Sequence, residues 1–331
     1  MKSIDELQQI LGSNMKALCD ANGALALNRK PANLYDPIRY ILLQEGKKLR
    51  PMLVLMANQI CGGNVDDATA PAIGLEMFHN FTLIHDDIMD KAEVRRGKPT
   101  VYKKWNSNIA ILSGDNLHAM ATKFVTTTKP EFVVDMLDIF NETTFLICEG
   151  QQYDADFETS DEVTLEQYLD MIYKKTAVLL GAALKMGAVS ANADKDTQNK
   201  LYDYGCAIGM AFQLMDDMLD VYGNEQNFGK RIGGDILCCK KTYVYLKTLE
   251  LTDGNDYADL RKYYNSNDMN EEEKIATCRY YFDKYHVEQI TRRAIDDYYK
   301  RADEIMAGVN LPADKKQILT DFCNQLAHRS K

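Results

Sequence analysis

Apolar residues recur along this chain at spacings of three and four, and period-two alternation is rare. The stretches VTLEQYLDMIYKKTAVLLGAALKMGAV (163–189) and KLYDYGCAIGMAFQLMDDMLDVYG (200–223) show it most clearly. That period gathers apolar side chains on one face of a helix. Turn chemistry interrupts it at KPANLYDP (30–37), CGGNVDDATAP (61–71), RRGKPT (95–100), TTTKPE (126–131), ANAD (191–194), GNEQNFGKRIGGD (223–235) and NSND (265–268). Roughly ten to thirteen helices fit between these breaks, many too long for strands. No repeat, low-complexity segment or linker divides the chain. The pattern predicts one all-α, single-domain bundle over residues 1–331.

Composition narrows the class. Hydrophobic residues make up 46 % of the 331, enough for a sizeable core. The N-terminal MKSIDELQQILGSNMKALCD is amphipathic. It lacks the layout of a signal peptide, and no apolar run approaches the ~20 residues of a membrane span. The eight cysteines are scattered, without CxxC spacing or histidines at zinc-site distances. Such usage suits reduced thiols and a cytoplasmic location. A net charge of −10 argues against nucleic acid, which is bound by neutralising phosphates. Phosphorylated substrates stay open, because Mg²⁺ can bridge carboxylates and phosphate oxygens.

Candidate chemistry concentrates in two acidic clusters. HNFTLIHDDIMD ends in Asp86, Asp87 and Asp90; GMAFQLMDDMLD ends in Asp216, Asp217 and Asp220. On a helix the first and last carboxylates of each cluster stand about 40° apart and one turn along, close enough to share a cation. His79 lies two turns before Asp86, within about 20° of the same line, and His85 projects about 100° away, as a packed or bridging residue would. Gln213 projects between Asp216 and Asp217. A solvated helix face is the ordinary reading of one acidic run. Here both runs sit inside apolar helices, where charge is costly unless paired. Carboxylates one and four apart also repel, so a compensating charge is required. Basic residues flank both clusters: Lys47, Lys48 and Arg50 in QEGKKLRP, Arg95 and Arg96 in RRGKPT, Lys174, Lys175 and Thr176 in YKKTAVLL, and Lys230, Lys240 and Thr242 around Asp235. Arg forks and Lys point charges both suit diphosphate.

GKKLRP, HNFTLIHDDIMDKAEVRRGKPT, EGQQYD, KTAVL, FQLMDDMLD and GKRIGGDILCCKKT resemble, in order and spacing, the blocks of trans-isoprenyl diphosphate synthases, which include farnesyl and geranylgeranyl diphosphate synthases. The likeness runs from about residue 40 to 245. It implies helices around a central cavity with the two aspartate motifs facing each other, a homodimer, and Mg²⁺ bound at Asp86, Asp90 and Asp216, with Asp87, Asp217 and Asp220 supporting. It implies allylic diphosphate contacts at Arg95, Lys175, Thr176, Gln213, Lys230 and Lys240. An isopentenyl diphosphate pocket would comprise Lys47, Arg50, His79 and Arg96. Asp154 in EGQQYD occupies a recurrent position without an assigned role. Two departures stand out: Glu45-Gly46-Lys47 where Gly-Gly-Lys is frequent, and Cys239 where glycine is frequent.

The implied chemistry is loss of diphosphate from the allylic substrate, attack of the isopentenyl double bond on the cation, and loss of a proton, with no side-chain nucleophile. A terpene cyclase would carry an Asn/Ser/Glu second motif, and a non-catalytic partner subunit would lack aspartates. A phosphohydrolase of the HD type would need more His and Asp ligands, and a scaffold would leave both clusters uncompensated. Phe81, five residues before Asp86, and Phe78 share an arc with the small Thr82, so they form a wall along which the product would grow. An aromatic wall favours a short product, farnesyl or geranylgeranyl diphosphate, over a longer polyprenyl chain. The alternative is that both aromatics are ordinary core residues.

Overall fold

A computed structural model describes residues 1–21, 26–44, 46–223, 232–266 and 268–328. The expected all-α class holds. The helices are α1 (Ile4–Asp20), α2 (Ala32–Leu42), α3 (Leu49–Ile60), α4 (Val65–Met89), α5 (Val101–Lys104), α6 (Ser107–Val125), α7 (Val133–Thr159), α8 (Leu165–Ile172), α9 (Val178–Ser190) and α10 (Lys195–Tyr222). After them come α11 (Gly234–Leu237), α12 (Tyr243–Leu251), α13 (Gly254–Tyr264), α14 (Glu271–Lys284), α15 (Val287–Ala307) and α16 (Ala313–His328). A two-stranded hairpin, β1 (Val94–Arg95) with β2 (Lys98–Pro99), follows α4. The sequence pattern marked that segment only as a turn.

Two expected breaks close into helix. Pro37 lies inside α2 and Pro71 inside α4, both buried. An interior proline costs about 3 kcal/mol, which the burial of apolar neighbours offsets: Ile38, Ile41 and Leu42 beside one, Ala72, Ile73 and Leu75 beside the other. Asn64 starts α4 by accepting the Asp66 amide at 3.1 Å, a cap worth roughly 1 kcal/mol.

The residues group into two compact units, Met1–Asn141 with Ala182–Asn199, and Glu142–Gly181 with Lys200–Lys331. The first has a core of Leu7, Leu11, Ile38, Met52, Leu55 and Phe78 from α1 to α4. In the second, Leu214 and Met218 of α10 pack with Val244, Leu260, Phe282 and Val287. No helix among the described residues is long and apolar enough to cross a membrane, and no disulfide joins the described cysteines.

Candidate active site

In the first unit, the end of α4 carries Asp86, Asp87 and Asp90. Asp87 is 1 % exposed, and its Oδ2 has no hydrogen-bond partner among the described residues. Burial raises its pKa to about 6, against Arg95, which lowers it. Arg95 Nε donates to Asp87 Oδ1 at 2.8 Å, and its Nη2 stands 3.7 Å from Asp86 Oδ2. Part of the compensating charge that the spacing demands is therefore an arginine of the chain itself. His85 packs as expected, its ring edge-on to Phe81 at 4.8 Å with Nε2 3.2 Å from the Ile111 carbonyl.

The hairpin sets the two arginines apart. Arg96 and Gly97 have φ of 53° and 71°, the left-handed pair that a two-residue hairpin loop of matching twist requires. Arg95 is thereby held in the strand and Arg96 at the loop. The Arg96 guanidinium lies against Gly46, where an added Cβ would come within 3.0 Å of Nη1. Arg50 Nη1 meets His79 Nε2 at 3.2 Å. Guanidinium has no acceptor, so Nε2 accepts and the proton of the neutral ring sits on Nδ1. Burial first, then Arg50, Arg96, Arg95 and Lys48, hold the His79 pKa well below its ordinary value. Burial likewise lowers Arg50 to about 10, although Glu76 opposes it, and Arg50 Nε is buried without a partner among the described residues. Glu76 is itself paired with Lys48 Nζ at 3.1 Å. The cluster gathers Lys48, Arg50 and Arg96 around a neutral His79 with Glu76 as their acidic partner, an arrangement suited to an anion with several oxygens.

In the second unit, a cavity of about 190 Å³ is lined by Asp154, Glu158, Lys175, Thr176, Gln213, Asp216, Asp217, Asp235, Lys240, Lys241 and Thr242, with Tyr168 and three apolar residues. Lys175 and Thr176 lie in a π-helical turn, Tyr173–Ala177, between α8 and α9. Such widened turns recur at functional sites. Gly150 of α7 permits that turn to approach, since a Cβ there would stand 2.5 Å from the Lys175 amide nitrogen. Lys175 Nζ pairs with Asp154 Oδ2 at 2.6 Å, which gives that recurrent aspartate a partner. Thr176 Oγ1 donates to Gln213 Oε1 at 3.1 Å. Asp217 accepts from Gln213 Nε2 and from the Tyr243 amide, each at 3.1 Å, and from the Tyr168 hydroxyl. Asp220 Oδ2 accepts the Asp235 amide at 3.0 Å. Cys239 has φ of 54°, a conformation that explains why glycine would serve there.

The polyprenyl synthetase family profile matches residues 31–281. The chain belongs to the polyprenyl synthetase family. The match extends beyond residues 40–245 at both ends. A short chain isoprenyl diphosphate synthase of Methanothermobacter thermautotrophicus is 38 % identical over 275 residues, 83 % of this chain and 84 % of that one. A geranylgeranyl diphosphate synthase of Sulfolobus acidocaldarius is 33 % identical over 297 residues, 87 % of this chain and 89 % of the relative. A crystal structure of a geranylgeranyl pyrophosphate synthase superposes with a TM-score of 0.93 at 40 % identity, covering 100 % of both chains. This polyprenyl synthetase is accordingly a prenyl-transferring enzyme.

The expected residues separate into sets that meet. Arg50 and His79 touch, Arg96 lies against the glycine before the exposed Lys47, and Arg95 joins Asp86 and Asp87. Lys175, Thr176, Gln213, Asp216, Asp217 and Lys240 line one cavity. Lys230 lies outside the described residues. Phe81 and Phe78 pack at 5.7 Å, and both adjoin the His118 ring, at 5.0 and 5.8 Å. The sequence reading missed His118, Tyr168 and Lys241. Tyr168 and His118 carry no motif signal, because each looks like one more member of an apolar stripe. Lys241, adjacent to Lys240, could have been suspected from charge alone.

Burial first and Asp235 second raise Asp217 to about 7, despite its three donors. Its ordinary value, like that of Asp87, is 3.8. The native state therefore holds extra protons between these values. Stability from such a group is full below the unfolded pKa and is lost as pH rises through the folded one. Without divalent cation, the stability of the wild type relative to Asp217→Asn should decline as pH rises from about 4 to about 7. Urea titrations of both proteins across that range check it, and a flat difference would refute the raised pKa.

Proposed function

We propose that this enzyme condenses isopentenyl diphosphate with an allylic diphosphate of the geranyl or farnesyl type, releasing diphosphate and a short product, farnesyl or geranylgeranyl diphosphate. The observation that carries this reading is the half-buried Arg50–His79 pair beside Arg96, a cationic cluster separate in the sequence from the carboxylates and lysines of the second-unit cavity. Two diphosphates need two such sets of groups. The relatives named above, one called short chain and one geranylgeranyl, support the short product.

The donor set fits magnesium. It consists of carboxylate oxygens, the hard ligands this ion prefers, and it includes the unpartnered Asp87 Oδ2. Among the described residues no three acidic, His or Cys side chains form a ready-made cage. Asp86 and Asp90 in the first unit, and Asp216 in the second, would be the ion's ligands, with Asp87, Asp217 and Asp220 in supporting roles. When bound, Mg²⁺ supplies positive charge that offsets the charge developing on the departing diphosphate. Lys175 and Lys240 in the second unit would add fixed positive charge on the leaving oxygens, and Arg95 is the corresponding cation beside the first aspartate cluster. Arg50, Arg96 and Lys47 hold isopentenyl diphosphate, and neutral His79 orients Arg50, so the double bond stays oriented for attack. The proton lost at the end goes to the released diphosphate. We read residues 1–331 as one domain, because α7, α9 and α10 each contribute to both units. We further propose a homodimer and a cytoplasmic location. Sedimentation at micromolar concentration tests the dimer.

The deciding assay is diphosphate release from geranyl or farnesyl diphosphate with isopentenyl diphosphate and Mg²⁺. Release without isopentenyl diphosphate would instead indicate a cyclase or hydrolase. Arg96→Ala and His79→Ala should weaken isopentenyl diphosphate more than the allylic partner, and Arg95→Ala the reverse. Each arginine loss should cost roughly 1.5–3 kcal/mol, the scale for hydrogen bonds to charged groups. Kinetics with each substrate varied would show equal losses if the division into two pockets were wrong.

A further inference from the structure

Tyr168 belongs to none of the recognised blocks, yet its hydroxyl donates to Asp217 Oδ2 from a ring 3 % exposed. In that pair the phenol hydroxyl is the donor and the carboxylate oxygen the acceptor. Asp217 accepts from all three of its neighbours, the Tyr168 hydroxyl, the Gln213 side-chain amide and the Tyr243 backbone amide. Gln213 must then turn its NH₂ toward Asp217 Oδ1, 3.1 Å away, and its carbonyl oxygen toward Thr176. The single hydroxyl proton of Thr176 is committed to that oxygen at 3.1 Å. Hydrogen-bond polarity is thereby set along the cavity lining, from the buried phenol of Tyr168 through Asp217 and Gln213 to Thr176.

We propose that Tyr168 is a positioning residue for prenyl transfer: by pinning Asp217 it fixes the orientation of Gln213 and Thr176, which stand in the cavity wall with Lys175 and Asp216. The assignment rests on the reading of that cavity as the allylic diphosphate site. Packing alone does not call for tyrosine here, since phenylalanine would fill the same space beside Met171 and Ile172. What phenylalanine removes is the donor. Among the described residues Oδ2 then keeps only the Tyr243 amide at 3.1 Å, the carboxylate can turn, and the Gln213 amide loses its fixed acceptor. A backbone amide cannot substitute for the phenol, because it holds the carboxylate from one side only. Networks of this kind act as a unit, so their members couple strongly.

The test compares wild type, Tyr168→Phe, Gln213→Ala and the double variant, each substrate being varied in turn at fixed Mg²⁺. Tyr168→Phe should raise KM for the allylic diphosphate about tenfold, the lower end for a lost hydrogen bond to a charged group, and leave KM for isopentenyl diphosphate within about twofold. The double variant should lose no more than the worse single one, because the two residues act along one chain. Calorimetric titration of inorganic diphosphate with Mg²⁺ into the resting protein should show the same weakening without turnover. Equal changes in both KM values, or losses that multiply in the double variant, would overturn the proposal. Should Tyr168→Phe fail to fold by circular dichroism, Gln213→Ala alone must show the allylic-selective pattern, or the proposal falls. A wild type that neither transfers prenyl groups nor binds diphosphate would bring down the functional reading and this assignment together. A normal wild type with an unaltered Tyr168→Phe would remove this assignment alone.

Discussion

Asp86→Ala and Asp216→Ala should each lose most turnover while keeping the fold. The expected drop is about 10²- to 10³-fold, the range for removing one group that stabilises charge developing in a transition state. Neither substitution breaks the packing of its helix. Both aspartates are partly exposed, and the apolar contacts of α4 and α10 are made by neighbours such as Ile84, Leu214 and Met218. Removing a carboxylate also relieves repulsion from its neighbour one residue on. Asp86→Ala leaves Arg95 on Asp87 at 2.8 Å, so the hairpin keeps an anchor. Asp217→Ala differs in kind, because it strands three donors in a buried site and should destabilise the protein as well. Steady-state rates, circular dichroism and Mg²⁺ titration separate these cases. An Asp86→Ala or Asp216→Ala enzyme that folds and turns over normally would remove the metal assignment.

Phe81→Ala should lengthen the product by at least one further isoprene unit. The ring of Phe81 lies 5.7 Å from Phe78, 4.8 Å from His85 and 5.0 Å from His118, and Phe140 closes the cluster 5.1 Å from Phe78. Phe78 is 1 % exposed, whereas Phe81 is only half-buried. Phe78 therefore behaves as the core residue of the pair, and Phe81 is the one whose surface a growing chain can meet. Truncating a large core aromatic costs about 3–5 kcal/mol, and the partial exposure of Phe81 puts it at or below the low end. His118→Ala should act in the same direction, since that ring touches both phenylalanines. Chromatography of products from labelled isopentenyl diphosphate reads the distribution. Unchanged products from an active, folded Phe81→Ala enzyme would show that other residues end the chain.

The sequence by itself determined the helical class, the two aspartate clusters and the Gln213 side of the second one. These follow from a regular helix, whose period places residues three and four apart on one face whatever surrounds it. It also marked Arg95 and Arg96 as a pair. What it left undecided depends on groups far apart in the chain. The period could not say that Asp217 turns toward Tyr168 and the Tyr243 amide, 49 and 26 residues away, or that Asp87 is clamped by Arg95. Pro37 and Pro71 read as breaks because local propensity disfavours them within helices, and only burial around them overrides it. The left-handed Arg96 and the π-helical turn at Lys175 likewise answer to the strands and helices that hold them. Local periodicity therefore placed the candidate carboxylates on their helix faces, and tertiary contacts decided which partner each of their atoms takes.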